Sequence, residues 1–529
     1  MKKIKYILLS VLLAGVYSCE KDLDVAVEDP LNLTPEQLYS TPQGYKQALA
    51  GVYANLSLTG TGGAGSSFLD GIDAGTSQFG RCLWYLQELT TDEVVWSYEN
   101  DEGTKELNRN IWTASNPLLL GIYSRTMAEV AFANDFLRQS TPEKLSSRGI
   151  TNATDIANIN DYRNEVRVLR AYSYYVMMDL FGKAAMITEN DPIDFDGPEY
   201  NRQQLFTFVE SELNAVMPNL KAGRANEYGR LDKVMAQMIL AKMYLNAEVY
   251  IGTPKYAECM TQCSNVIGSA YTLNTNYLNN FKADNHTSPE LIFTLQSDGV
   301  HTQNYGATTV IINGEVGSVE NNGSELGVGG WGGALRLRKQ FVQKFDGFSS
   351  DARNTIFAGS RPIEITNVTT NGQGYILKKF SNKTSAGVPG PNSTFVDTDF
   401  PLFRLADAYL MYVEAQMRKD GATNGSTIKN ANATSIGYLN ALRTRANSST
   451  LSQADVTLSY LLDERARELH WEGHRRQDLI RFNVYTTGYN WAWKGNVQNG
   501  TSISDNMKIF PIPANSLNAN SNLTQNPGY

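Results

Sequence analysis

The most constraining stretch of this chain lies close to its end, at Leu462–Asn483, LDERARELHWEGHRRQDLIRFN. It has no proline and a single glycine, Gly473, so its pattern predicts one continuous helix of about five to six turns. Leu462, Ala466, Leu469, Gly473, Leu479 and Phe482 recur roughly at helical spacing. Around them stand Asp463, Glu464, Arg465, Arg467, Glu468, Glu472, Arg475, Arg476, Asp478 and Arg481. By composition this is a solvated charged face, because isolated exposed ion pairs contribute only ~0.5 kcal/mol each. Charges on every side of one helix, however, predict that some are paired against neighbouring helices. Within the helix itself the spacing offers Asp463 to Arg467 at i,i+4 and Glu468 to Arg475 at i,i+7.

Helical periodicity also predicts helices at 43–56, 118–139, 160–181, 202–217, 231–249, 254–267, 401–418, 434–446 and 459–483. Thr41-Pro42 and Asn116-Pro117 supply capping residues and helix-starting prolines for the first two. The pairs 118–139 with 160–181, and 231–249 with 254–267, read as antiparallel hairpins. Tyr172, Leu180, Ala241, Tyr244 and Ala247 occupy the packing positions of degenerate tetratricopeptide-like repeats. Between about 270 and 400 the composition shifts to Gly- and Asn-rich loops such as 314–333, around short strand-like runs at Leu291–Gln296 and Tyr375–Phe380. The expected fold is therefore mostly α, a tetratricopeptide-like helical-repeat scaffold with an inserted irregular, loop-rich α/β lobe.

The chain has 529 residues, enough for one large or several smaller domains, and its 42% hydrophobic content suits a sizeable core. A net charge of −8 argues against nucleic acid, whose phosphates need a basic patch. Lys2, Lys3 and Lys5 precede an apolar run from Ile7 to Val16, too short for the ~20 residues of a bilayer span and right for a signal peptide. The run ends in Val-Tyr-Ser-Cys at 16–19, similar to a bacterial lipobox, which predicts cleavage before Cys19 and its lipidation. No later segment is long and apolar enough to span a membrane, so the expected attachment is an anchor. Cys82, Cys259 and Cys263 remain, an odd number that forms no disulfide framework. The i,i+4 pair Cys259/Cys263 on a helix reads as two buried small hydrophobes.

Signals for catalysis are weak. His470 and His474 are i,i+4, but HWEGH misplaces the glutamate of a zinc hydrolase motif, and helix packing is the better reading. No phosphate-binding glycine loop and no nucleophile elbow is present. A glycosidase needs two carboxylates ~5–9.5 Å apart, and the densest acidic stretch, TTDEVVWSYENDE (90–102), is no more than a candidate. No motif calls for a cofactor or metal, and none specifies a structural calcium. What stands out is aromatic residues among polar ones in loop-like sequence: Trp96 and Tyr98 beside Asn100 and Asp101, Tyr305 in TQNYGATT, and Trp331 in GVGGWGG. Sugars present apolar C–H faces to such rings and hydroxyls to polar neighbours. Core packing competes as an explanation for each ring, least so for Trp331, whose flanking glycines disfavour a core strand.

ERARELHWEGHRRQDLIRF (464–482) resembles the C-terminal signature helix of the SusD/RagB family of Bacteroidetes outer-membrane nutrient-binding lipoproteins. VLRAYSYYVMMDLFGKAAM (168–186), FPLFRLADAYLMYVEA (400–415), LNALRTRAN (439–447) and FPIPANSLNANSNLTQNPGY (510–529) resemble further family motifs, in family order. The resemblance implies a signal peptide at 1–18 and one family domain over 19–529, divided into helical-repeat (19–270), loop-rich (271–400) and C-terminal helical (401–529) parts. Glu20-Lys21-Asp22 after the cysteine resembles the family's surface-export signal. Four loops, 70–81, 91–101, 297–307 and 327–333, are similar to those of the starch-binding type. That likeness implies Asp73 and Arg81 as hydrogen-bonding groups for sugar hydroxyls, and Tyr305 and Trp331 as two sides of an aromatic arc. Tyr98 stands where the starch-binding type has Trp, and Asn100 and Asp101 share the place of one Asn. The implied function is non-catalytic: a lipid-anchored, cell-surface protein of the outer membrane that captures starch or maltooligosaccharide for a SusC-like, TonB-dependent transporter. A surface glycosidase and a peptide-binding repeat protein are the rival classes.

Overall fold

The computed structural model describes residues 34–529; the apolar N-terminal run and Cys19 lie outside the described residues. The described chain is mostly helical. The helices that matter for the argument are α1 (Pro42–Ser57), α2 (Phe79–Trp84), α3 (Pro117–Gln139), α4 (Ala153–Leu180), α5 (Arg202–Val216) and α6 (Lys233–Leu245). They continue as α7 (Tyr256–Ile267), α8 (Ala307–Glu315), α9 (Leu405–Lys419), α10 (Ala433–Arg445), α11 (Leu458–Leu469) and α12 (Arg475–Arg481). Strands are short: β1 (Val94–Trp96) pairs antiparallel with β3 (Leu335–Leu337), and β2 (Leu291–Leu295) with β4 (Phe400–Arg404).

The predicted starts hold for chemical reasons. Thr41 Oγ1 accepts the Gly44 amide at 3.1 Å and Asn116 Oδ1 the Leu118 amide at 3.0 Å, each satisfying an end-turn N–H ahead of a proline at the first position. Helix α4 begins two turns before the predicted 160, because Asn152 caps a polar stretch whose amphipathic face starts later. The predicted 401–418 helix loses its first residues to β4. Phe400–Arg404 is a buried run containing Pro401, and it pairs with β2 instead.

Helices α3 and α4 pack together, as do α6 and α7, giving both predicted hairpins. The array runs on from α4 to α5, and from α7 across to α9, α10 and α11. Tyr172, Leu180, Ala241, Tyr244 and Ala247 are all buried in it. Because α7 touches α9 directly, the residues between them leave and rejoin one continuous helical core. Cys82, Cys259 and Cys263 are free and buried, with the Cys259 and Cys263 sulfurs 3.9 Å apart.

The signature segment departs from its predicted form twice. It is not one helix: α11 stops at Leu469, Trp471 and Gly473 take left-handed backbone (φ +60° and +80°), and α12 restarts at Arg475. A left-handed tryptophan is a rare, costly conformation. It is held because Glu93 Oε2 accepts the Trp471 amide (3.0 Å), Glu88 Oε1 accepts the Gly473 amide (2.6 Å), and Trp84 Nε1 donates to the Trp471 carbonyl (2.9 Å). The break also carries His470 and His474 away from one shared helical face: His470 packs against Phe341 and Phe345, while His474 Nδ1 lies 2.9 Å from Lys242 Nζ.

Nor is the segment a solvated face. Glu464, Arg465, Arg467, Glu468, Glu472, Arg475, Arg476, Asp478 and Arg481 are all buried. The anticipated pairs within the segment do not form, since closer partners come from elsewhere. Asp463 meets Lys344 (2.7 Å), and Arg475 grips Asp92 (2.7 Å). Glu468 is shared by Arg353 (3.1 Å), Arg404 (2.7 Å) and Arg445. Arg465 and Arg481 both hold Asp478, at 2.8 and 2.7 Å. Burial opposes ionisation of Glu464, but the charges of Arg353, Arg467 and Arg443 outweigh it and keep the carboxyl down at about 2. The hinge carboxylates behave oppositely: burial drives Glu93 up to about 7 and Glu88 also upward, where the Glu93 charge adds to the effect.

Candidate functional site

The loop residues singled out above are brought together around α8, which acts as a spacer. Its nine residues span about 13 Å at 1.5 Å per residue. Tyr305 lies just before its N-terminus. Near its C-terminal end the Asn313 carbonyl accepts the Trp331 amide (2.9 Å), and Asn313 Oδ1 accepts the Gly330 amide (3.2 Å).

The Trp331 loop is clamped from both sides. Gly333 donates its amide to the Val316 carbonyl (2.7 Å), and Ser97 at the end of β1 donates to the Ala334 carbonyl (2.7 Å). Gly330 has φ +84°, and a side chain there would run into Val316, so only glycine lets the loop approach so closely. The Tyr98 hydroxyl donates to the Trp331 carbonyl and lies 3.2 Å from that of Gly332. Tyr98 and Trp331 are both half-buried, each with ring area open to solvent.

Trp96 does not share that exposure. Its ring is only 2% exposed, packed edge-to-face against Tyr98 (6.0 Å between centroids) and Trp331 (6.4 Å), and tilted against Tyr85 (5.6 Å). The expectation of Trp96 as an open stacking platform is therefore corrected: it is the floor beneath the other two. Its Nε1 donates to Asp101 Oδ2 (2.8 Å), which commits one Asp101 oxygen to holding the floor. Asn100, next to it, is exposed.

On the far side of the spacer, Tyr305 is half-buried and backed edge-to-face by Phe395 at 5.1 Å. Its Cδ2 lies 3.3 Å from where a Gly75 side chain would begin, and Asp73 Oδ1 is 3.7 Å from the same point, so ring and carboxylate flank one glycine. Asp73 is exposed, and it accepts from the Thr76 amide (2.7 Å) and hydroxyl (2.8 Å). The Thr76 amide bond leads in lowering its pKa, and the Arg81 charge contributes, so Asp73 faces solvent as an anion. Between the two ends stands Arg81 on α2, its guanidinium over the Tyr85 ring at 5.2 Å. Arg81 Nε is buried without an acceptor among the described residues. A nearly buried guanidinium with donors to spare is costly unless a ligand supplies oxygen.

The result is an open surface arc: two rings at one end, one at the other, Arg81 and Asp73 along it. Phe395, Tyr85 and Asn313 complete it and were missed from sequence. Phe395 sits in a polar loop, Tyr85 in a run of buried residues and Asn313 inside a helix, none with a local signature. The acidic stretch weighed for hydrolysis runs through one end of the arc, but its carboxylates serve the structure. Asp92 and Glu93 are buried, committed to Arg475 and to the Trp471 amide. Among the described residues no cluster of His, Cys, Asp or Glu gathers to hold a metal ion.

Residues 318–529 match the SusD family. Over 591 aligned positions, covering all of both chains, the sequence is 34% identical to the starch-binding protein SusD of Bacteroides thetaiotaomicron. The fold is shared with a SusD superfamily protein from Parabacteroides distasonis (TM-score 0.67, 21% identity, 94% of this chain and 100% of that one). It is also shared with surface glycan-binding protein A of B. thetaiotaomicron in complex with laminarihexaose (TM-score 0.68, 20% identity, 92% and 99%). With a third of its residues identical to a relative along its full length, and that relative's fold class in place, the chain belongs to the SusD family.

Proposed function

We propose that this protein is a lipid-anchored glycan-binding protein of the outer-membrane surface that captures starch or maltooligosaccharide and passes it to a SusC-like, TonB-dependent transporter. The observation that carries the reading is the arc itself: Tyr98 and Trp331 at one end of α8, Tyr305 at the other, and the unsatisfied Arg81 guanidinium between them. Stacking supplies the affinity, and Arg81 and Asp73 fix the register by bonding hydroxyls. Such a groove desolvates sugar hydroxyls that water served well, so affinity is micromolar to millimolar, roughly 4–8 kcal/mol in all. The full-length likeness to a starch-binding relative favours α-glucan. The laminarihexaose complex of a more distant relative makes β-glucan the competing ligand. The reading is non-catalytic: of the acidic stretch at 90–102, Asp92 and Glu93 are buried and committed to Arg475 and the Trp471 amide, and one Asp101 oxygen is committed to Trp96.

Affinity electrophoresis through amylopectin, laminarin and a peptide-loaded gel tests the ligand class. Retardation by amylopectin alone is the expected outcome, and retardation by laminarin alone removes starch from the reading. Anchoring is tested separately. Cys19→Ala moves the protein from the membrane fraction to the soluble periplasm if Cys19 carries the lipid.

A further inference from the structure

The most exposed aromatic ring among the described residues is not in the arc. It is Tyr228, 53% exposed, at the tip of the loop between α5 and α6. An exposed ring is ordinarily mobile, but this one is fixed at its far end. Its hydroxyl bonds the buried Asp399 carboxylate and lies 3.3 Å from Thr294 Oγ1, while His286 packs edge-on at 5.8 Å. The next residue locks the loop as well: Gly229 has φ +82°, and a side chain there would collide with the Gln296 amide. The ring is therefore held rigid while its face is open.

Hollows flank it on both sides. One, of about 370 Å³, has an apolar wall from α1 (Leu49, Tyr53, Ala54), with Gln296 and Thr302 opposite. The other, of about 350 Å³, is polar and also reaches Gln296 and Thr302. The lysine and arginine around them are already paired, whereas Asp397 and Asp399 line the polar hollow with no ion-pair partner among the described residues. Lys46 pairs with Glu227 (3.0 Å), Arg230 with Glu165, and Asp298 with His301 (3.1 Å). An anionic ligand would meet the Asp397 and Asp399 carboxylates and find no free lysine or arginine, whereas a neutral one with many hydroxyls can donate to them. Thr302 Oγ1, shared by both hollows, has no hydrogen-bond partner among the described residues. A rigid open ring, hollows of ligand size and carboxylates free to accept hydroxyl protons together select a neutral polyol with an apolar face.

We propose that the groove around Tyr228 is a second saccharide-binding site, taking a short stretch of a neutral oligosaccharide with a pyranose face against the Tyr228 ring. It is linked to the arc through one loop. Gln296, Ser297, Asp298 and Thr302 line the groove, and Tyr305, a few residues on, forms the near end of the arc. A long glycan thus meets two footholds on one rigid body, and its retention exceeds that of either alone. The proposal rests on the glycan-binding reading, but the two sites report separately.

Hydrogen–deuterium exchange on the full chain, with saturating maltoheptaose and in parallel laminarihexaose, reads them apart. Peptides covering 94–101 and 327–333 report the arc; those covering 224–232 and 294–302 report the groove. Slowed exchange is expected in both sets for the native protein, in the groove set alone for Trp331→Ala, and in the arc set alone for Tyr228→Ala. Loss of one foothold in Tyr228→Ala also lowers amylopectin retention by about two- to fivefold. Because Tyr228→Ala takes the hydroxyl partner from the buried Asp399, the melting temperature falls by a few degrees, and a single cooperative transition checks that the variant folds. Arc peptides that respond while groove peptides stay unchanged overturn the second site and leave the proposed function standing. Groove peptides that respond alone overturn the arc and leave the second site. No response to either sugar overturns both.

Discussion

Two regions of this molecule use side chains against type. In α11–α12 the charged residues are inside, packed carboxylate against guanidinium; in the arc, large aromatic rings stay partly outside. Each arrangement costs free energy on its own terms. Burying an ion costs several kcal/mol before its partner repays it, and leaving a tryptophan face wet forgoes its burial. The difference lies in where the compensation comes from. The ionic core is compensated within the chain, by Arg353, Arg404, Arg445 and Asp92, and so specifies the fold. The arc leaves Arg81 Nε without an acceptor and its rings partly open, and so it is available to a ligand.

This contrast predicts opposite outcomes for mutations in the two regions. The largest effect is expected in the core. Glu468→Gln removes a charge shared by three arginines and strands them, costing about 3–5 kcal/mol, with a large drop in melting temperature and no effect on glycan affinity in the fraction that folds. A folded variant with native melting temperature would show that these charges are solvated after all.

The hinge gives the next effect, through pH. Glu93 is raised in the folded state to about 7 against an ordinary value of 4.5. Its contribution is therefore fully present below about 4.5 and lost as pH rises through about 7, because the fold then holds a proton the unfolded chain has released. Glu464 and Asp478, both held at about 2, act with the opposite sign, losing stability as pH falls from about 4 toward 2. Denaturation across pH should show a Glu93 contribution between about 4.5 and 7 that Glu93→Gln removes, changing the slope there by about 1–3 kcal/mol. An unchanged slope would place the titrating group elsewhere.

In the arc, Trp331→Ala should cut α-glucan affinity at least tenfold, about 1.5–3 kcal/mol, while lowering the melting temperature by only a few degrees. Unfolding instead would make Trp331 a core residue and collapse the contrast. The smallest effect belongs to Tyr98→Phe. It keeps the ring and removes only the bond to the Trp331 carbonyl, so affinity falls by about 0.5–1.5 kcal/mol through a looser Gly-rich loop. A loss as large as that of Trp331→Ala would mean that the hydroxyl itself contacts sugar.

Much of the scaffold could be read from sequence, because helix caps and apolar spacing are local. Thr41-Pro42, Asn116-Pro117 and the 3.6-residue pattern of α6 and α7 each act within a turn or two. The break at Trp471 could not, since it depends on Glu88 and Glu93 from nearly four hundred residues earlier. For the same reason the Arg475 partner was misjudged: Asp92 is nearer in space than Glu468. At the site, the glycines around Trp331 marked a loop with an open ring. Trp96, only two residues from Tyr98, falls on the buried side because β1 pairs with β3 and turns it inward under the arc. Alternation along a three-residue strand is too short a signal to show that.

The pairing of α11 and α12 with distant partners also orders events in time. Asp92 is made long before Arg475, and Arg353 and Arg404, though paired early with Asp351 and Glu290, are made before Glu464, Glu468 and Glu472, which share them. Until the last seventy or so residues are available, Asp92 lacks its arginine and the Arg353–Arg404–Arg445 cluster lacks most of its carboxylates, so the ionic core is completed only with the C-terminus. A chain cut short of α11 and α12 should therefore fail to reach a cooperative native state, whatever the strength of its earlier helices.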